Sequence, residues 1–192
     1  MRRNFFSEDF VRIISGKVRG LSLISPAGED TRPTLDRVKE AIFNIIMPYI
    51  LDSEVLDLFA GSGGLGIEAI SRGAKNAVFV DKNSESINCI NKNINAARFC
   101  EFCQVKKADS IQYLNQCNTS FDIIFLDPPY KENLYEQVLK LILNKNILKN
   151  DGIIVLEYDY CLKKPDIPDG LEIVKERKYG RVGVLVLSQI RS

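Results

Sequence analysis

From Glu54 to Tyr158 the sequence alternates between short apolar runs and amphipathic stretches, and that alternation leaves few folds open. EVLDLF, NAVFVD, FCQVKKAD, FDIIFLD and GIIVLEY read as strands, while LGIEAISRG, SESINCINKNINAA, DSIQYLNQ and NLYEQVLKLILNK between them carry helical spacing. Strands this apolar belong to a sheet buried on both faces, and strand-helix-strand units join through right-handed crossovers. The expectation is an α/β, doubly wound, mostly parallel sheet with helices on each side. The last two runs, LEIVKERKYG and RVGVLVLS, meet at a tight Gly-containing turn and read as an antiparallel hairpin that closes the sheet.

The residues before Glu54 behave differently. VRIIS and LSLI, separated by GKVRG, read as two short strands, and a polar loop, SPAGEDTRP, follows. Leu35, Val38, Ala41, Ile42 and Ile45 then share one face of a helix over 34–47, with Thr34 as its N-cap, Asp36 in its first turn and Pro48 at its end. This divides the chain into a small N-terminal β extension, residues 1–33, and a main domain, residues 34–192. A length of 192 residues with 45% apolar and 27% charged residues suits one ordinary globular core. The N-terminus lacks the apolar centre of a signal peptide, and the longest apolar stretch, AIFNIIMPYIL, is too short and too interrupted to span a bilayer. A soluble, cytoplasmic, monomeric protein with no membrane partner is expected.

Several chemistries drop out on composition. There is no histidine, which removes imidazole bases, Ser-His-Asp triads and Cys-His pairs. Five scattered cysteines, with Cys100 and Cys103 as one lone CxxC, read as free thiols, and no metal site is expected. A net charge of +1 shows no global field for a polyanion. Arg12, Lys17 and Arg19 nevertheless lie in a stretch without acids, followed by Arg32 and Arg37. That stretch reads equally as a solvated face or as a nucleic-acid contact.

The stretch VLDLFAGSGGLGIEA places Gly61, Gly63 and Gly66 in a GxGxxG pattern between a strand and a helix, the context of a nucleotide-binding loop. Asp81, twenty residues after Gly61 at the end of the next strand, is placed to grip ribose hydroxyls. Asp57 selects among adenosine ligands. A pyrophosphate beside a carboxylate in a low-dielectric crevice is repelled, whereas the ammonium and sulfonium of S-adenosylmethionine are attracted. Asp109 either accepts from the adenine amine or caps the following helix. Phe59, Ser62, Lys82 and Ser110, flanking these positions, complete the expected cofactor set.

FDIIFLDPPY supplies the other half of the site. In doubly wound sheets the first and fourth strands are neighbours and ligands gather beyond their carboxyl ends, so this strand delivers DPPY opposite the glycine loop. Pro128 and Pro129 stiffen the loop and keep Asp127 extended. The Asp127 carboxylate and the Pro128 carbonyl can accept both N–H bonds of a planar amine, and Tyr130 offers a face on which a base stacks.

The stretches RIISGKVRGLSL, TRPTLDRVKEAIFNII, DLFAGSGGLGIEAISRGA and FDIIFLDPPY together resemble the RsmD (YhhF) family of bacterial 16S rRNA guanine-N2 methyltransferases, over about Val11 to Leu187. GSG and DPPY are common to class I S-adenosylmethionine-dependent methyltransferases; the RPT-DRVKEA stretch is the specific part. The resemblance implies a Rossmann-like, seven-stranded sheet with an antiparallel last strand and a small N-terminal β extension. It also implies the cofactor on Asp57, Gly61, Gly63 and Asp81, and the target base on Asp127 to Tyr130. Arg32, Pro33 and Thr34 would lie over the mouth of the site, and Arg12, Lys17, Arg19, Arg32 and Thr34 would meet 16S rRNA or the small ribosomal subunit. Ile14-Ser15-Gly16 departs from the family's usual Ile-Gly-Gly. Methylation of adenine N6 or of a protein amide, an NAD-dependent oxidoreductase on the same glycine pattern, and an RNA-binding scaffold without activity stay open as alternatives.

Overall fold

The computed structural model describes residues 11–26, 33–128 and 134–190, the side chains of 33–35 excepted. Its centre is a seven-stranded sheet in the order β5-β4-β3-β6-β7-β9-β8. The strands are β3 (Glu54–Asp57), β4 (Asn76–Asp81), β5 (Cys103–Lys107), β6 (Phe121–Leu126), β7 (Leu148–Asp159), β8 (Leu171–Tyr179) and β9 (Val182–Gln189). β3 to β7 are mutually parallel, and β9 runs antiparallel to both of its neighbours, β7 and β8. β8 and β9 form the antiparallel hairpin that the two runs around Gly180 led one to expect, and its second strand lies between β7 and β8. β3 pairs directly with β6, Val55 opposite Ile123, so the chain winds from β3 outward to β5 and then returns to build the other half. That reversal leaves a crevice beyond the carboxyl ends of β3 and β6.

β3, β4, β6, β7 and β9 alternate, and each face of the sheet has its own apolar layer. Val55, Phe79, Ile123, Phe125, Val155 and Val186 face α1 (Pro33–Ile46), α2 (Gly64–Ser71) and α3 (Ser84–Ala97). Leu56, Val80, Ile124, Leu126, Leu156 and Leu187 face α4 (Ser110–Gln116) and α5 (Leu134–Asn144). Phe43 of α1 packs on Phe125 with ring centroids 5.7 Å apart, fully removed from water. Burial of a phenylalanine of this kind contributes about 1.5–3 kcal/mol. Among the described residues no helix is long and apolar enough to cross a membrane.

Several element ends differ from the sequence reading, each for a physical reason. α1 starts at Pro33, whose fixed φ suits a first helical position, so Thr34 is inside the first turn and is not the N-cap. α1 ends at Ile46, and Pro48 sits within a short 3-10 turn, Met47–Tyr49. The expected strands VRIIS and LSLI shrink to β1 (Val11–Arg12) and β2 (Ser22–Leu23), because Glu68 and Ser71 of α2 bind the backbone of the turn between them. Glu68 accepts from the amides of Ile14 and Ser15 and from Arg72, and Ser71 Oγ accepts from Val18 N and donates to the Ser15 carbonyl. Gly16 has φ +87°, and a Cβ there would lie 2.0 Å from the Ser71 carbonyl oxygen, so this is the glycine of the Ile-Ser-Gly turn that geometry demands. The serine at 15 offers only its backbone to Glu68 and Ser71, which is why the departure from Ile-Gly-Gly is tolerated. Through Val11 of β1, Ile13 just after it and Leu23 of β2, this segment joins the same apolar layer as α1 and α2.

Candidate active site

Three backbone devices hold the glycine loop. β3 stops at Asp57 and the chain turns: Leu58 N donates to the Phe125 carbonyl and Ala60 N to the Val80 carbonyl, which anchors the loop between β6 and β4. Gly61 and Gly63 then take φ +52° and +78°, a left-handed region that costs glycine nothing. Gly66 serves a different need, since a Cβ on it would lie 2.3 Å from the Phe79 ring, so its bareness lets α2 settle onto β4. α2 starts at Gly64, with its amino end at the loop.

Acidic side chains tie this loop to the strand ends. Asp57, 3% exposed, accepts from Gly66 N at 3.0 Å. Asp81 is half-buried at the end of β4 and uses one oxygen for Gly61 N (2.9 Å) and the other for Asn83 N (2.7 Å). Its remaining lone pairs are free to accept ribose hydroxyls. Asp109 is the N-cap of α4, with Oδ1 accepting from Ile111 N and Gln112 N. Of the two readings of this residue the capping one is present, and Oδ2 is the atom left for a ligand. Ser62 and Ser110 are buried, Phe59 packs half-buried on the second apolar layer, and Lys82 is exposed beside Asp81.

DPPY is described as far as Pro128. Asp127 follows the last residue of β6 and is open to the crevice, and Pro128 behind it is buried. Pro129, Tyr130 and Arg32 lie outside the described residues, as does the side chain of Thr34. On the neighbouring strand, Leu156 pairs with Leu126, so Glu157 comes next to Asp127 at the ends of β7 and β6. The sequence reading passed over Glu157. Its signal was present, because VLD, FLD and VLE all end an apolar run on an acid.

These acids share one face and no basic side chain among the described residues pairs with them. Removal from water, reinforced by Asp127 and Asp81, pushes the Asp57 carboxyl up to about 7, against the pull of the Gly66 amide. Burial pushes the Asp127 carboxyl up to about 6. Glu157 is raised well above the carboxylate range by burial and then by Asp127 and Asp57. The cluster has a deficit of positive charge, which a cationic ligand beside the glycine loop corrects and a pyrophosphate worsens. Among the described residues there is no group of three His, Cys, Asp or Glu placed to hold a metal ion.

Asn93 of α3, buried and also unforeseen, clasps the N-terminal segment to the loop. Its Oδ1 accepts from Ile24 N, and its Nδ2 donates to the carbonyls of Ile24 and Ser62. The basic segment itself is spread out. Arg12 pairs with Asp36 at 3.0 Å, and its carbonyl accepts from Lys39, whose ammonium is held down by burial and partly restored by Glu68. Lys17 and Arg19 are exposed, but the Lys17 amide bonds Ser71 at the far end of α2, about 12 Å of helix away from the glycine loop. The backbone that carries these two cations is thus anchored at the end of α2 opposite the glycine loop.

The profile of the family described as conserved hypothetical protein 95 matches residues 11–188. A protein of Haemophilus influenzae named ribosomal RNA small subunit methyltransferase D is 42% identical over 176 residues, 90% of each chain. The Escherichia coli protein of that name is 34% identical over 172 residues, covering 90% of this chain and 86% of its own. The solved structure of yhhF from Escherichia coli superposes with a TM-score of 0.85 at 30% identity, over 95% of this chain and 99% of that one. Matched along nearly its whole length in sequence and in fold, the chain belongs to the conserved hypothetical protein 95 family, the RsmD (YhhF) family.

Proposed function

We propose that this protein is an rRNA methyltransferase that transfers a methyl group from S-adenosylmethionine to the exocyclic N2 amine of a guanine in small-subunit (16S) rRNA. The observation that carries the reading is the row of acids, Asp57, Asp127 and Glu157, with no compensating cation among the described residues, where β3, β6 and β7 end beside the glycine loop. The names of the family members quoted above support the rRNA substrate.

The residues present fit the cofactor. Asp57 would hold its cationic amino-acid end, the Gly61–Gly63 backbone its body, Asp81 its ribose, and Asp109 Oδ2 its adenine amine. When bound, it supplies an electrophilic methyl carbon on a sulfonium, whose carbon-sulfur electron pair leaves with sulfur to give S-adenosylhomocysteine.

Asp127 and the Pro128 carbonyl would accept the two N–H bonds of the amine, which aims the nitrogen lone pair across the crevice. Positioning of this kind lowers a barrier by about 7–11 kcal/mol when it approaches the intramolecular limit. As the nitrogen-carbon bond forms, N2 must lose one proton. Asp127 is the nearest base, and its opening to the crevice lets it pass that proton to water. The first 33 residues, with Lys17 and Arg19 exposed, would add phosphate contacts away from the reacting atoms.

The test is to incubate the purified chain with methyl-labelled cofactor and either naked 16S rRNA or small-subunit particles, then digest the RNA and identify the labelled nucleoside. N2-methylguanosine is expected. Label on N6-methyladenosine, on protein or nowhere contradicts the reading.

A further inference from the structure

Glu157 has no task in the scheme above, and its surroundings ask for one. It stands beside Asp127 in the parallel register of β6 and β7, with neighbouring strands about 4.8 Å apart. Phe125 and Val155 two residues earlier both point into the α1 layer, so Asp127 and Glu157 point to that same face. Glu157 is 9% exposed, and no donor among the described residues meets its carboxylate. Asp57, by contrast, has the Gly66 amide. A carboxyl this little exposed, with no donor of its own, is placed to accept one that arrives with a ligand.

Resting on the proposed methyl transfer, the geometry points to Glu157 as the residue that selects the base, its carboxylate accepting the ring N1–H next to the amine held by Asp127. The hydrogen-bonding edges of the bases make this selective. Guanine presents N1–H directly beside its N2 amine, two donors side by side for two carboxylates side by side. Adenine places the bare N1 lone pair beside its N6 amine, cytosine the bare N3 beside its N4 amine, and a side-chain amide its own carbonyl oxygen. With the cationic cofactor bound beside this row of acids, Glu157 would be held ionised, and each of those alternatives would turn an acceptor toward its carboxylate and be repelled. Sites built to bond a particular N–H reject analogues lacking it by about 10⁴ to 10⁵-fold. Asp127 alone holds any planar amine, and the pair holds guanine. The same reasoning explains why an acid survives in a layer otherwise lined by Val155, Val184 and Val186.

2-Aminopurine isolates the question, since it keeps the N2 amine but carries a lone pair at N1. After the modified nucleotide is mapped in 16S rRNA, ligated RNA carrying either guanosine or 2-aminopurine riboside at that position is compared for kcat/KM with the full-length chain and with Glu157→Gln. The wild type is expected to favour guanine by at least about 10³-fold. The glutamine amide can turn to donate to N1, so the variant is expected to lose at least about 10²-fold on guanine and to discriminate by less than about 10-fold. S-adenosylhomocysteine should stabilise both proteins equally against heat, which separates base selection from a damaged fold. A wild type that uses the two bases within about 10-fold overturns the assignment whatever the variant does, and so does a variant with undiminished discrimination. Absence of guanine methylation by the wild type refutes the parent reading, and the assignment falls with it; guanine methylation with unchanged selectivity refutes Glu157 alone.

Discussion

Replacing Asp57 by asparagine should make the ligand-free protein more stable and unable to bind its cofactor. In the folded chain this carboxyl is raised to about 7 from its ordinary 3.8, mainly by burial. A raised carboxylate favours folding while it is protonated, so its contribution is fully present below about pH 4 and is lost as pH rises through 7. The separation is about three pH units at about 1.4 kcal/mol each, which puts the cost of holding the ionised form near 4 kcal/mol above pH 7 as an upper bound. Asparagine keeps an oxygen for Gly66 N and carries no charge. The variant should therefore gain on the wild type with rising pH, the gap widening by about 2–3 kcal/mol between pH 5 and pH 8. At roughly 2–4 °C per kcal/mol for a chain this size, that widening is roughly 4–12 °C in melting temperature. Thermal melts of both proteins across that range measure it, and parallel melts with S-adenosylhomocysteine should show stabilisation of the wild type only. A pH-independent gap, or a variant that melts below the wild type at pH 8, refutes the argument that Asp57 is an uncompensated buried charge.

Asp127→Ala should abolish methyl transfer while RNA affinity stays within about twofold, because base-edge and phosphate contacts are separate; equal loss of both refutes its role at the reacting atoms. With the Asp127 carboxyl near 6, kcat/KM of the wild type should decline below about pH 6 as this acceptor becomes protonated, and a profile flat from pH 5 to 8 contradicts it. Gly66→Ala drives a methyl into the Phe79 ring and should cost about 1–3 kcal/mol in urea unfolding, and trimming the ring with Phe79→Leu in the same chain should recover part of it. Changing Lys17 and Arg19 together to alanine should weaken RNA binding and reduce the slope of log affinity against log salt by about 1–2, leaving cofactor binding alone; an unchanged slope makes that face a solvated one.

The sequence spoke most clearly where periodicity and backbone demands coincide. NAVFVD and SESINCINKNINAA coincide with their strand and helix: Asn83 caps the helix at its start, and Arg98, at φ +60°, ends it. The three glycines announced a loop, though not that two serve left-handed φ and the third serves contact with Phe79. β1 and β2 came out shorter than their apolar pattern, since the backbone between them bonds to side chains of α2 some fifty residues away, a tertiary effect that no local window contains. Asp109 carried both of its readings openly, and a helix cap is the one whose partners are local. Asn93 was hidden for the opposite reason, an amide within an asparagine-rich helix whose partners lie in the glycine loop and the N-terminal segment. Glu157 was overlooked because its strand was read for apolar content, while its meaning comes from register with Asp127.

The central claim is that donor and acceptor meet where β3 and β6 end. A crystal structure of the chain with S-adenosylhomocysteine tests it most directly. The amino group should sit by Asp57, the ribose on Asp81 and the sulfur facing Asp127. The same ligand lodged elsewhere on the molecule, with the glycine loop and Asp57 untouched, would contradict the account.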